Sequence, residues 1–372
     1  MRVVNASAIF LASFEGHIEV VKLLLEHGAA LNSPTCSPLC GASLAGDIAV
    51  AKILIEQGAD MSSPSILHTH WSTNPLAAAA RSGDVELVYY LISKGANAHY
   101  NQRDQNALVE ACSCDHLEVV KLLLHHGADV NMQVLPSNTT CMHQACINKN
   151  IAMVTYLLDH GADINILDEN GVSPFGKAFM KQNNELILYL LDRGADPDAW
   201  LIDTPSPIGW TPLMLAAAEG DKDMMMLLLK YGAKINRAYT CEDAHGDDRF
   251  HVSMPLLVAC EYGQVAALRL LLEHGADAYK PFAFYHNNTP LMYLFRDGLW
   301  VVQWYRRGMN YIYEPEPDRS QDMPNCLKLL LEYGADATLA NDQGETVNDY
   351  VKDPAILQIF AEHSAVSKPL LK

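Results

Sequence analysis

The chain has 372 residues, 49% of them hydrophobic and 8% aromatic, and a formal net charge of −18. That is enough apolar material for a large buried core, and the acidic balance repels phosphate backbones, so nucleic acid is not expected among its ligands. No apolar run reaches the roughly 18 residues of a membrane span and no basic-then-apolar leader occurs, so no membrane association is expected, and the cytoplasm or nucleus is the expected compartment.

Taken in chain order, one pattern returns nine times. It closes in LLLEHGAALN at Gly28, LIEQGAD at Gly58, LISKGAN at Gly95, LLLHHGADVN at Gly127 and LLDHGADIN at Gly161. It continues with LLDRGAD at Gly194, LLLKYGAKIN at Gly232, LLLEHGAD at Gly275 and LLLEYGAD at Gly334. In eight copies a second landmark lies twenty residues before that glycine: Ala8, Pro38, Pro75, Ala107, Cys141, Pro174, Pro212 and Pro255.

The stretch Thr211–Asn236 displays the unit most plainly. Thr211 is placed to cap a first helix, and Pro212 fits its first turn because the missing N–H needs no partner there. Ala216, Ala217 and Ala218 let a neighbouring backbone approach, and Gly220 breaks the helix. Asp223–Lys230 predicts a second, apolar helix, which Gly232 ends in the left-handed conformation. A pair of this size is apolar on both sides and needs copies of itself to bury that surface. The ninth copy runs from Pro290 to Gly334 and carries 24 extra residues, Leu299–Asp322, between its helices. A degenerate tenth follows around Val347.

This pattern closely resembles the ankyrin repeat, with its T-P-L-H…A-A…G…L-L…G-A-D…N signature. Departures are mild: only His143 keeps the signature histidine, and Met254 stands where the capping threonine belongs. The resemblance implies an all-α solenoid of helix–loop–helix units with β-hairpin fingers along one edge, used for binding proteins. Nine repeats are expected over residues 1–340, with the insertion 299–322 inside the ninth, and a capping copy and tail over 341–372. Length alone suggests two or three domains, but the regular spacing predicts a single solenoid. The first copy starts without a finger of its own, as a cut from a longer polypeptide would leave it.

The repeat absorbs most of the residues that look chemical. Cys112, Cys146 and Cys260 fall where the best copy has Ala217, as small core residues. Cys36 and Cys40 are expected as a reduced pair. His27, His126, His160 and His274 precede the terminal glycines, where they favour the negative end of the helix dipole. His17 and His116 start second helices, and the His143 ring is placed to bond a finger backbone. His68 with His70, and His245 and His251 with Cys241 and Asp243, lack metal-ligand spacing, so no metal or other cofactor is expected. No phosphate loop, dinucleotide fingerprint, nucleophile elbow or zinc-protease helix occurs, and no enzyme is expected.

Variation is concentrated in the fingers. The spacing from a terminal glycine to the next proline position ranges from ten (Gly28 to Pro38) to twenty-three residues (Gly232 to Pro255). The longest fingers are Ser62–Thr73, Pro197–Gly209 and Arg237–Ser253. In the family, ligands are usually held by finger tips and by the exposed end of the first helix. Carried over by register, these positions are His70, Trp71 and Arg81 in the third copy and Arg103 in the fourth. The seventh gives Trp210 and Glu219, the eighth Phe250, His251, Glu261 and Tyr262, and the ninth Tyr285, His286 and Arg296. Aromatics and arginine dominate interface energetics, and the surrounding carboxylates favour a protein or peptide with apolar and basic anchors. The expected function is a non-catalytic scaffold or adaptor binding such a partner in a concave groove. The alternative is a substrate-recruiting module of a larger enzyme or ubiquitin-ligase assembly. Asn131 and Asn165 resemble ankyrin asparagines that are hydroxylated in animal cells, although bonding the hairpin turn is the role preferred for each.

Overall fold

Residues 7–33, 35–62, 65–68, 71–99, 106–201, 210–242, 250–281, 287–295 and 323–366 are described by the computed structural model. A short polar residue followed by a helix former opens most first helices. Ser7, Asn74, Asn106, Ser173 and Thr211 each accept a hydrogen bond from the backbone N–H three residues on, at 2.8–3.4 Å. Asp47, Asp84, Asn150, Asn183 and Asp221 cap second helices in the same way. Each cap satisfies a donor that the helix geometry leaves unpaired.

The helices come in pairs, and the chain forms two compact units, Met1–Ala195 and Asp196–Lys372. The first unit holds α1 (Ala8–Phe14) with α2 (Ile18–Glu26), α3 (Pro38–Ala45) with α4 (Ile48–Glu56), and α5 (Pro75–Ser82) with α6 (Val85–Ser93). It continues with α7 (Ala107–Ser113) and α8 (Leu117–His125), α9 (Cys141–Ile147) and α10 (Ile151–Asp159), and α11 (Pro174–Met180) and α12 (Asn184–Asp192). The second unit holds α13 (Pro212–Glu219) with α14 (Lys222–Lys230) and α15 (Pro255–Glu261) with α16 (Val265–Glu273). Then come α17 (Pro290–Phe295) and α18 (Met323–Glu332), and the closing pair α19 (Val347–Tyr350) and α20 (Pro354–Val366). The insertion 299–322 lies outside the described residues. No helix among those described is long and apolar enough to cross a membrane.

Two fingers are paired strands. β1 (Ser65–His68) runs antiparallel to β2 (Trp71–Thr73), and β3 (Tyr239–Glu242) to β4 (Phe250–Ser253). In the third long finger, the N–H of Leu201 bonds the carbonyl of Trp210 at 3.1 Å and closes the base. The resemblance implied a hairpin in every copy. Elsewhere the described finger residues are turns, with isolated bridges such as Val134–Thr139. The physical reason is length, because the shorter connections leave no residues for a ladder once both turns are made.

Stacking is fixed by small side chains inside and by asparagines at the turns. A Cβ on Gly41 would lie 2.9 Å from the Phe10 carbonyl, so α3 seats against α1 only because that residue is glycine. Asn131 accepts from Asp163 N–H at 2.7 Å and donates to the Gly161 carbonyl at 3.1 Å, tying one turn to the next. Asn236 makes the same two bonds to Asp277 and Gly275, at 2.9 and 3.3 Å. His143 is fully buried. Its Nδ1 accepts from the Thr140 N–H at 3.2 Å, and its Nε2–H donates to the Val172 carbonyl at 3.0 Å, so the neutral ring closes both its own helix and the next finger.

Candidate partner-binding surface

The first helices of the second unit end in a surface built from the repeat register. Trp210 immediately precedes the cap Thr211, and Tyr262 follows the last residue of α15. Both rings are half-buried and lie on a buried platform of Met214, Ala218 and Val258. They meet edge to face with centroids 6.0 Å apart, a favoured geometry for an aromatic pair. The platform residues escaped sequence reasoning, although their register was available. Met214 and Ala218 lie one helical turn apart on α13, and Val258 stands in the first turn of α15.

Of the carboxylates expected around this patch, Glu219 is exposed at the end of α13. Glu261 is only 8% exposed, so it belongs to the wall of the surface and not to its rim. The strand β4 carries Phe250 and His251, whose backbones pair with Glu242 and Cys241. Tyr285, His286 and Arg296 lie outside the described residues, as do His70 and Arg103. Trp71 sits in β2 opposite His68. Thus, of the expected positions, the structure brings together Trp210 and Tyr262.

In the first unit, Arg81 closes α5 and pairs with Glu110 of α7 at 2.9 Å. Both are side chains of first helices in adjacent repeats. This arginine therefore already has a partner, and a ligand carboxylate would compete with Glu110. Asn165 donates to the Gly194 carbonyl at 3.3 Å, and Asn131 is bonded at both amide atoms, so each has the turn-bonding role its position suggests.

Ordinary structural chemistry accounts for much of what remains. The Nδ1–H groups of His27, His160 and His274 each donate to the carbonyl four residues back at 2.8 Å, closing second helices. Cys36, Cys40, Cys112, Cys114, Cys141, Cys146, Cys260 and Cys326 are reduced thiols. Burial pushes the Cys40 and Cys146 thiols far above their ordinary range, which keeps them protonated and unreactive. Among the described residues no group of three His, Cys, Asp or Glu side chains is placed to hold a metal. Residues His70, Asp243 and His245 of the finger clusters lie outside those residues.

A model of ankyrin repeats in three copies matches residues 2–65, 62–134, 133–200 and 198–277. Among solved structures, the human ASB11 ankyrin repeat domain is 27% identical, with 61% of this chain and 99% of that chain covered and a TM-score of 0.49. No curated protein matches the sequence. Ankyrin repeats generally mediate protein–protein interaction. With matched residues spanning most of its length, and each helix pair before the closing one ended by a left-handed glycine, the chain belongs to the ankyrin-repeat family.

Proposed function

We propose that the chain is a non-catalytic scaffold or adaptor, and that it holds a partner protein or peptide on the surface around Trp210 and Tyr262. The observation that carries this is the half-buried aromatic pair itself, edge to face on Met214, Ala218 and Val258. A ring with one face on a rigid platform and the other in solvent loses little entropy on binding. It presents apolar area to a partner, which is the usual character of an interface anchor. Glu219, next in the chain after Ala218 of the platform, is exposed, so a ligand with an apolar side chain next to Lys or Arg is the best match. The net charge of −18 adds long-range attraction for basic partners and repels nucleic acid. Reduced, buried thiols go with a reducing compartment, the cytoplasm or nucleus.

The test is display of a random peptide library against the immobilised protein, repeated with Trp210→Ala and with Tyr262→Ala. Enrichment of apolar–basic peptides, lost by more than about thirtyfold in affinity in either variant, supports the reading. Urea unfolding must stay close to wild type in the same variants. Retained binding with weakened unfolding would make the pair a satellite core and place the partner elsewhere.

A further inference from the structure

On the second helices of the first unit, the partners of the lysines follow the repeat register. Lys22 of α2 and Lys121 of α8 stand at the same place in their helices. Each pairs with the glutamate three residues before it, Glu19 or Glu118, at 2.8 and 2.7 Å. Lys52 holds that place in α4, where the residue three before it is Ala49. Its ammonium lies instead 5.4 Å from the centroid of the Tyr90 ring in α6. Lys94, which closes α6, lies 5.5 Å from the same centroid. In α12 the counterpart of Lys94 is Arg193. It also lies on its tyrosine, Tyr189, at 5.1 Å, but it reaches Asp159 of α10 at 3.5 Å. Glu56 is the counterpart of Asp159 in α4. Even so, among the described residues neither Lys52 nor Lys94 forms an ion pair, and the Tyr90 hydroxyl makes no hydrogen bond. In a chain of net charge −18, two ammonium groups are thus gathered at one ring with no carboxylate on either.

We propose that this face of α4 and α6 docks an acidic segment of a partner protein. The ring quadrupole holds both ammonium groups in place, and the Tyr90 hydroxyl adds a third donor. Carboxylates set against these groups relieve the repulsion of like charges and accept charge-assisted hydrogen bonds. A segment offers several carboxylates, so each ammonium can have its own. Apolar contact stands next to them. Tyr89 is 55% exposed, and Val85, one turn before it, is 39% exposed, so the two form an apolar crest along α6. A leucine or aromatic residue between the partner's acidic residues would cover that crest. The acidity of the whole chain is screened beyond about 8–10 Å in physiological salt, so at contact the two local ammonium groups decide the sign. That same acidity repels extended anionic surfaces, a lipid bilayer or a phosphate backbone, and so favours a short protein segment. The site lies wholly in the first unit and stands whether or not Trp210 and Tyr262 hold a partner.

Fluorescence anisotropy of a short labelled peptide of glutamate and leucine, titrated with the full chain, tests this. The wild type should bind it more tightly than the counterpart with glutamine for glutamate. Lys52→Gln, Lys94→Gln and Tyr89→Ala should each weaken binding by about three- to tenfold, and Glu56→Gln should strengthen it. Lys121→Gln serves as the control, because Glu118 already holds that charge, and it should leave binding unchanged. Helical content and the urea midpoint should stay at wild type in every variant. A wild type that does not bind the peptide overturns the proposal. So does binding that survives both lysine variants, that Lys121→Gln weakens equally, or that the glutamine peptide matches. A fall in the urea midpoint large enough to account for the lost binding would make the ammonium groups packing alone, and overturns it too. Phosphatidylserine vesicles that bind more tightly than the peptide, and release both lysine variants, would give the face to a membrane instead.

Discussion

The imidazole of His116 lies over Gly83. Its Nε2–H donates to the carbonyl of Arg81 at 3.1 Å, and a Cβ on Gly83 would fall 2.5 Å from the ring. One repeat thus clamps the end of the previous first helix through the space that glycine leaves empty. Gln264 does the same over Gly220, donating to Ala218 at 3.1 Å.

Two kinds of glycine follow from this clamp, and alanine substitution separates them. Gly28 has a left-handed φ of 80° but nothing within 4 Å of a would-be Cβ. Gly28→Ala should cost only the backbone strain, about 1–2 kcal/mol. Gly83→Ala carries the same strain and must also displace His116, adding about 1–3 kcal/mol. Urea unfolding of both variants checks this, and equal costs would remove the clamp.

Three copies manage the same left-handed turn without glycine, at Asp115, Lys149 and Gln182, with φ of 61°, 61° and 53°. Replacing Lys149 or Gln182 with glycine relieves about 1–2 kcal/mol of strain and adds about 0.5–1 kcal/mol of unfolded-chain entropy. A net gain of about 0.5–1 kcal/mol is expected. Asp115→Gly should gain less, because the carboxylate of Asp115 accepts from Asn150 at 3.2 Å and that bond would be lost. Thermal unfolding of the three variants orders them.

What the sequence made legible was what backbone geometry forces. Thr211 caps, Pro212 starts and Gly232 ends a helix because few other residues do so cheaply, and the second helix begins at Lys222, one residue from the expected Asp223. Lys149 gave no such signal, since only the constant spacing marked the turn it makes. The candidate surface was legible in part. Register placed Trp210 and Tyr262 near each other, but it could not tell that Glu261 is buried while Glu219 is exposed. Nor could it pair Arg81 with Glu110, 29 residues away, because that contact exists only once two repeats stack.

The buried thiols predict how stability depends on pH. Burial raises Cys40 and Cys146 above the ordinary value of 9.0, and the Cys326 thiol followed by burial does the same for Cys260. A group whose proton is held more tightly in the folded state contributes stability that is complete below its unfolded value and is lost above it. Each such thiol should remove about 1 kcal/mol per pH unit above about 9. Urea midpoints should therefore fall steeply between about pH 9 and pH 10, and Cys40→Ala should make the fall shallower. In the native protein near neutral pH, iodoacetamide should label half-buried Cys114 well before Cys40 or Cys146.

Lys177 of α11 and Asp168 form an ion pair at 2.9 Å with side chains only 8% and 3% exposed. The other carboxylate oxygen of Asp168 accepts from the N–H groups of Asn170 and Val172, each at 2.9 Å, so the anion is fully engaged and organises the finger before α11. Asp168→Ala removes the carboxylate beside a buried ammonium and frees two backbone donors, and it should cost about 3–5 kcal/mol. Lys177→Met keeps the volume and leaves Asp168 its two backbone donors, so it should cost about 1–2 kcal/mol. If the charges matter chiefly to each other, the double variant should cost less than the sum of the singles by about 1–3 kcal/mol. Urea unfolding of the four-protein cycle measures that coupling directly. Additive costs would mean that the two charges are not coupled and that the backbone bonds of Asp168 carry its whole effect.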